Sequence, residues 1–357
     1  MSRERARQRA ALRLAFGVTL ALIWSTMAGE SLPGLTAVLT AQILVGMPRA
    51  PRLGQAAAMV AVIAGTGGIA FAVADTFADR FLMLTIALGL LFFTGFAMRD
   101  RAAGRPSLPA TMLLNATAVV PVLTVQSAAL GFGVLETLVM ATVQAMLVVW
   151  SLYAVLPAPK EDDAPAGTGH AAGAPRSHDA GTARTLAKVV IVLPAQLFYL
   201  AEPTALAFPA LLGLVTFLTT QEPAAGRLQL IILLLGNLVG SIAAAAAAEV
   251  LRIGPPLPAL ALMTLLGSLG FARWMMSASR RPGAAVALTG LVTFVMLFGL
   301  AAARLSFDVP VLDRVADIFL LSLYTVGATA LLLPPSTAKS PIATPPLRIG
   351  TRSAPVS

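Results

Sequence analysis

The chain has 357 residues, of which 57% are apolar and only 11% are charged, and its mean hydropathy is +0.84. Soluble domains carry roughly 25% charged residues, so this composition excludes a water-soluble fold. The chain has no cysteine and only two histidines, His170 and His178, in a polar stretch. Disulfides, iron–sulfur clusters and cysteine zinc sites are therefore excluded, and no metal or other cofactor is expected.

Twelve apolar segments approach the length of about 20 residues that a bilayer crossing requires. In chain order they lie at 12–28, 33–47, 55–74, 81–98, 108–127 and 132–156, and then at 185–201, 203–220, 228–250, 256–274, 284–303 and 310–333. Residues 157–184 and 334–357 are rich in Ala, Gly, Pro and charge, which predicts a disordered cytoplasmic linker and a disordered cytoplasmic tail. The sequence thus predicts an all-α integral membrane protein with about twelve transmembrane helices.

The positions of the basic residues predict the orientation. With the N terminus in the cytoplasm, only Arg80, Arg252, Arg304 and Arg314 of the 25 basic residues fall on the outer side. This satisfies the positive-inside rule and predicts a multi-pass protein of the bacterial inner membrane with both termini cytoplasmic. Attraction of the inner loops to anionic lipid accounts for the net charge of +9 without a nucleic-acid partner.

The two sets of six spans resemble each other, which predicts parallel six-helix repeats at 1–156 and 185–333. Six spans is an even number, so both repeats enter the membrane in the same direction, and a substrate path would follow their interface. Matched residues recur in the same order about 175 positions apart. They include Arg52 and Arg227, Asp75 and Glu249, Gly95-Phe96 and Gly270-Phe271, and Glu136 and Asp313.

Acidic residues near the span ends are the candidates for proton exchange. Glu30, Glu202, Glu136 and Asp313 begin spans on the outer side, where the helix dipole favours an anion, so a structural role competes with a functional one. Asp75 and Glu249 follow span ends that disfavour an anion, and Arg80 and Arg252 are their candidate ion-pair partners. The proton-coupling candidates are Asp75, Glu249, Glu136, Asp313 and Asp317.

Polar side chains within or at the ends of spans are the candidates for a substrate path. Amides in membrane helices most often tie helices together, and this competes with a role in binding. The repeated glycines and the run Ala243–Ala248 predict close helix approach rather than a nucleotide loop. The path candidates are Asn115, Asn237, Gln42, Arg52 and Arg227.

One motif occurs in each half and resembles the fusaric acid resistance family of inner-membrane proteins, which includes the aromatic acid exporters. The first half has Pro33-Gly34-Leu35-Thr36-Ala37, Pro48, Arg52 and Gly65-Thr66-Gly67-Gly68, and the second has Pro209-Ala210-Leu211, Pro223, Arg227 and Gly236-Asn237-Leu238-Val239-Gly240. The chain is similar to a transmembrane-only variant, because no sizeable soluble domain follows either bundle and Val62 and Ile63 stand where the family often has an arginine. The resemblance implies proton-driven export of aromatic or other weak organic acids, with a periplasmic membrane fusion adaptor and an outer-membrane channel.

Two other functions compete with this hypothesis. A major-facilitator-type transporter shares the six-plus-six arrangement, but the inner loop Gly46–Arg52 lacks the aspartate typical of that superfamily. A non-transporting membrane scaffold is the other alternative, and it predicts that all the intramembrane amides face helix contacts. No catalytic motif is found, so an enzyme is not expected. The expected partners are membrane lipid and a small-molecule substrate, and assembly as a homo-oligomer stays open.

Overall fold

The structure is a computed structural model, and it describes most of the predicted spans. The described ranges are 2–30, 32–47, 49–101, 108–157, 178–201, 226–253, 256–277 and 281–303, with scattered residues at 211–212, 214–215, 218–219, 320–321, 323–325, 327–329 and 331–332. The regular structure of these residues is helical throughout. The chain is therefore all-α, as the sequence predicts.

Ten helices have defined ends. They are α1 Ser2–Met27, α2 Pro33–Gly46, α3 Leu53–Phe77, α4 Phe81–Arg101, α5 Leu108–Thr124, α6 Ala128–Val155, α7 His178–Ala201, α8 Gly226–Ile253, α9 Pro256–Ser277 and α10 Arg281–Ala303. Eight of them are long and apolar enough to cross a membrane, and α2 and α5 are shorter apolar helices. These helices indicate a multi-pass membrane protein. The eighth and twelfth predicted spans, 203–220 and 310–333, lie mostly outside the described residues.

Three helices begin at least four residues earlier than the hydropathy pattern predicts. α1 begins at Ser2 instead of residue 12, because its Arg- and Ala-rich start is polar but consists of strong helix formers. α6 begins at Ala128 instead of residue 132, directly after Ser127 in an extended conformation. α7 begins at His178, so the last seven residues of the predicted linker 157–184 are helical.

Helices from the two predicted halves pack against each other. α1 packs on α9, α4 on α7, α2 on α10, and smaller contacts join α1 to α10 and α5 to α7. In the first half, α3 packs on α4 and α5, α5 packs on α4, and α6 packs on α1, α2, α3 and α5. In the second half, α8, α9 and α10 all pack on one another. The helices therefore form one bundle whose central seam lies between α1, α2, α4, α7, α9 and α10.

Glycines allow the backbones to approach closely at two crossings of this bundle. A Cβ atom on Gly34 of α2 would lie 2.8 Å from the Val295 carbonyl oxygen of α10, and one on Gly299 would lie 2.8 Å from the Gly34 Cα. On the other side of α10, a Cβ on Gly240 of α8 would lie 2.5 Å from the Gly290 carbonyl oxygen. The predicted close approach of the repeated glycines is confirmed at Gly240, whereas nothing lies within 4 Å of a Cβ atom at Gly65 or Gly68 of the first half.

Candidate functional site: a carboxylate between the first hairpin and α6

The turn after α1 places Glu30 inside the bundle. The Gly29 N–H donates to the Thr26 carbonyl oxygen at 3.1 Å and the Glu30 N–H to that of Ser25 at 3.1 Å. Gly29 has φ +71°, so these bonds form a Schellman motif with glycine in the left-handed position it favours. The Ser25 hydroxyl also donates to the Pro33 carbonyl oxygen at 2.8 Å, which ties the end of α1 to the start of α2.

The Glu30 carboxyl group bonds to side chains of α2 and α6. The Gln144 amide nitrogen donates to Glu30 Oε1. The Thr36 hydroxyl lies 3.2 Å from Glu30 Oε2 and 3.4 Å from Gln144 Oε1. Thr36 is fully buried, and Glu30 and Gln144 are half-buried. These three side chains are called the Glu30 cluster below.

The Glu30 cluster lies near the middle of α6. Gln144 is 16 residues from Ala128 and 11 from Val155, which is about 24 Å and about 17 Å along the helix. The register is fixed nearer the other end, where the Tyr153 hydroxyl donates to the Met47 carbonyl oxygen at 2.7 Å and the Trp150 N–H to that of Pro51 at 2.8 Å. Because α2 has only 14 residues, its first turn reaches α6 at mid-length.

A role at a helix terminus does not account for the position of the Glu30 side chain. Leu32 is the N-cap residue of α2, no side chain caps that helix, and Pro33 occupies its first turn. Glu30 makes no ion pair with any described residue. A carboxylate away from water is unfavourable unless it is hydrogen-bonded, and here the bonds come from neutral groups of two other helices.

The predicted proton-coupling residues lie apart from this cluster. Asp75 and Arg80 are exposed and form no ion pair with each other. Glu249 forms an exposed ion pair with Arg252 at 3.2 Å, as the structural alternative predicts. Glu136 is exposed. Because α6 begins at Ala128, Glu136 lies in its third turn, so the prediction that it begins a helix, where the dipole favours an anion, is wrong. Asp313 and Asp317 lie outside the described residues, as does Glu202.

The predicted path residues have separate environments. Gln42 and Arg52 are exposed, and the Arg52 N–H donates to the Gln55 side chain at 3.1 Å. Asn237 accepts a hydrogen bond of 2.8 Å from the Thr293 hydroxyl, so it ties α8 to α10. Asn115 is half-buried, and its Oδ1 is buried without a partner among the described residues. Arg227 lies in the first turn of α8, and its side chain is outside the described part.

The structure also contains a buried ion pair that the sequence pattern does not reveal. Lys188 of α7 is 2% exposed, and its Nζ lies 2.7 Å from Oδ1 of Asp100 in α4. The Thr185 hydroxyl donates to Asp100 Oδ2 at 3.0 Å, and the Phe96 ring lies 5.6 Å from Lys188 Nζ. The sequence places Lys188 inside a predicted span and Asp100 just beyond another, and this pairing of opposite charges is the available signal.

Arg13 of α1 occupies the position that matches Lys188 in the predicted repeat. The two residues are 175 positions apart, and Arg13 is 8% exposed. Its guanidinium lies 4.3 Å from the centre of the Tyr153 ring in α6. The positive-inside pattern places both side chains on the cytoplasmic side, but the fold buries both.

Protein-family models, curated proteins and solved structures were each compared with the chain, and none of them matches it. The geometry of the described residues is therefore what bears on the function.

Proposed function

We propose that this protein is the inner-membrane subunit of a proton-coupled exporter of small aromatic or other weak organic acids. Its two six-helix repeats would be parallel and would lie in the bacterial cytoplasmic membrane with both termini on the cytoplasmic side. The substrate would cross between the repeats. A periplasmic membrane fusion adaptor and an outer-membrane channel would complete the export route, as the resemblance to the fusaric acid resistance family implies.

The exchange pattern of helix pairs is the observation that carries this proposal. The repeat relates α1 to α7, α3 to α8, α4 to α9 and α5 to α10. When each helix is replaced by its counterpart, the packed pair α1–α9 corresponds to α7–α4, and the packed pair α1–α10 corresponds to α7–α5. Both corresponding pairs are also packed in the structure. The pairs α3–α5, α3–α4 and α4–α5 become α8–α10, α8–α9 and α9–α10, all of which are packed. Such a pattern is expected of two similar bundles related by a twofold axis, as in transporters whose substrate crosses at the repeat interface.

Polar groups in the bundle support transport over a passive scaffold. The scaffold hypothesis requires every intramembrane amide to serve in a helix contact. Gln196 of α7 is fully buried, yet neither its nitrogen nor its oxygen is hydrogen-bonded among the described residues. A buried amide without partners costs about 1–3 kcal/mol, so Gln196 does not supply the stabilising helix contact that the scaffold hypothesis expects of it.

The proposed export is tested by growth and accumulation in a deletion strain. The strain should grow less than its parent on benzoate, salicylate and p-hydroxybenzoate, and the intact gene should restore growth. Radiolabelled benzoate should accumulate more in the deletion strain than in its parent, and a protonophore should abolish the difference between the two strains. Equal accumulation in both strains across the acids, and across a panel of uncharged drugs, would rule the proposal out.

Neutralising the two repeat-matched acids is expected to abolish export. The double variant Asp75→Asn, Glu249→Gln removes the exposed carboxylates that are proposed to exchange protons on the outer side. We expect resistance to fall to the level of the deletion strain, with an unchanged amount of protein in the membrane fraction by immunoblot. Asp79 is an exposed acid in the connection after α3, so Asp79→Asn is the matched control and should retain resistance. Unchanged resistance in the double variant would remove both residues from the proton route.

A further inference from the structure

The geometry points to Glu30 as the group that takes up and releases a proton within the membrane, with Thr36 and Gln144 as its positioning residues. Glu30 is distinct from the exposed acids discussed above, because its carboxyl group meets α6 near mid-length. The role of this proton in driving export depends on the proposed function. The protonation of Glu30 itself does not.

The donors and acceptors of the Glu30 cluster fit two protonation states. With Glu30 ionised, Gln144 Nε2 donates to Oε1 and the Thr36 hydroxyl donates to Oε2. Thr36 has one hydrogen, so Gln144 Oε1 then receives none from it. With a proton on Glu30 Oε2, that group donates to Thr36, and Thr36 donates to Gln144 Oε1 across the 3.4 Å separation. A single proton thus closes a ring of three hydrogen bonds without moving a heavy atom.

Among the described residues, no opposite charge is paired with Glu30. α2 and α5 contain no titratable residue, and the nearest ones on α6 are Glu136 and Tyr153, about 12 Å and about 13 Å from Gln144 along the helix. Tyr153 contacts Arg13, which is thereby directed to the C-terminal end of α6 and away from the Glu30 cluster. The remaining charged or titratable residues on the helices around the cluster are Arg3, Glu4, Arg5, Arg7 and Arg9 of α1, Asp75 of α3, Arg273 of α9 and Arg281 of α10. Glu30 has no ion pair with any of these residues among the described contacts.

The position of α2 connects this proton to the seam between the halves. α2 packs on α6 of its own half and on α10 of the other, and its Gly34 touches the α10 backbone two residues before Thr36. A shift of α10 relative to α6 would therefore separate Thr36 and Glu30 from Gln144. Loss of the ring favours the ionised form, so the protonation state and the arrangement of the halves would be linked.

A sodium ion is the competing occupant of a carboxylate with hydroxyl and amide neighbours. The arrangement favours a proton because the Gln144 nitrogen, which cannot bind a cation, is directed at Glu30 Oε1. A cation site would require the amide oxygen there instead. The experiment below separates the two.

Infrared difference spectroscopy measures this protonation directly in the full-length protein. The protein is reconstituted in liposomes, and the C=O stretch of protonated carboxyl groups is followed as the pH is lowered and raised. All 16 acidic residues contribute to the titrating C=O absorption of the wild type, and we expect one band of it to be absent in Glu30→Gln. Asp79→Asn, which changes an exposed acid, should keep it. Thr36→Val should move the midpoint of the titration, and Thr36→Ser, which restores the hydroxyl, should return it.

The outcomes distinguish the possibilities. Identical titrating bands in the wild type and in Glu30→Gln overturn the inference. A band that disappears at constant pH when potassium is replaced by sodium also overturns it, in favour of a cation site. Glu30→Gln should elute as a single species in size-exclusion chromatography, and if it does not, the midpoint shift between Thr36→Val and Thr36→Ser decides the case. If the band titrates as expected but benzoate is not exported by the wild type, the proton site stands and the proposed function fails.

Discussion

Lys188→Met is expected to lower the free energy of unfolding by about 3 kcal/mol. The variant leaves Asp100, one quarter exposed, facing the space from which its cation has been removed. Breaking a buried pair by removing one partner typically costs about 3–5 kcal/mol, and the partial exposure of Asp100 places this case at the lower end. Equilibrium unfolding of the purified protein in mixed micelles measures the change.

The double variant Asp100→Leu, Lys188→Met shows whether the loss arises from the unpaired charge. It should recover most of the stability, because an apolar pair of similar volume removes the uncompensated carboxylate. The exposed Glu249–Arg252 pair is the matched control, with both side chains about 60% exposed. Arg252→Gln should change the free energy by less than about 1 kcal/mol. An equal effect of Lys188→Met and Arg252→Gln would show that burial of the α4–α7 pair contributes nothing.

Gly34→Ala is expected to destabilise the protein by about 2–3 kcal/mol, because the new methyl group meets backbone that cannot rotate away. Its Cβ would lie 2.8 Å from the Val295 carbonyl oxygen and 3.0 Å from the Met296 Cα. Overpacking of this kind costs about 1–3 kcal/mol, and the rigidity of the contacted backbone favours the upper part of that range. The same micelle unfolding experiment measures it, and Gly34→Val should be more severe.

Gly46→Ala makes the same chemical change at the other end of the same helix. Nothing lies within 4 Å of a Cβ atom at Gly46. The change should therefore be neutral or slightly stabilising, since alanine favours the helix by up to about 1 kcal/mol over glycine. If both alanine variants behaved alike, the α2–α10 crossing would not be a close backbone contact.

The helices follow from the sequence because each one needs mainly an apolar segment of sufficient length. The end of α2 at Gly46, for example, lies within one residue of its predicted end. Hydropathy does not detect polar helix formers, which is why the start of α1 differs by several residues from the prediction. The repeated glycines at Gly236 and Gly240 indicate a close crossing but do not identify α10 as the partner.

The site is less predictable, because its members are remote in sequence. Glu30 and Gln144 are 114 positions apart, and Lys188 and Asp100 are 88 apart. At the sequence level Glu30 has the pattern of an acid that begins a membrane span. Only the shortness of α2 relative to α6 brings it to the middle of the longer helix.

Composition, span length and the distribution of arginines by themselves determined that this protein is helical and crosses a membrane several times, because a lipid environment requires each segment to satisfy its own backbone hydrogen bonds. The tertiary structure alone decided which polar side chains meet. Hydrogen bonds and ion pairs between helices depend on the relative depth and rotation of neighbouring helices, and no local pattern encodes these two quantities.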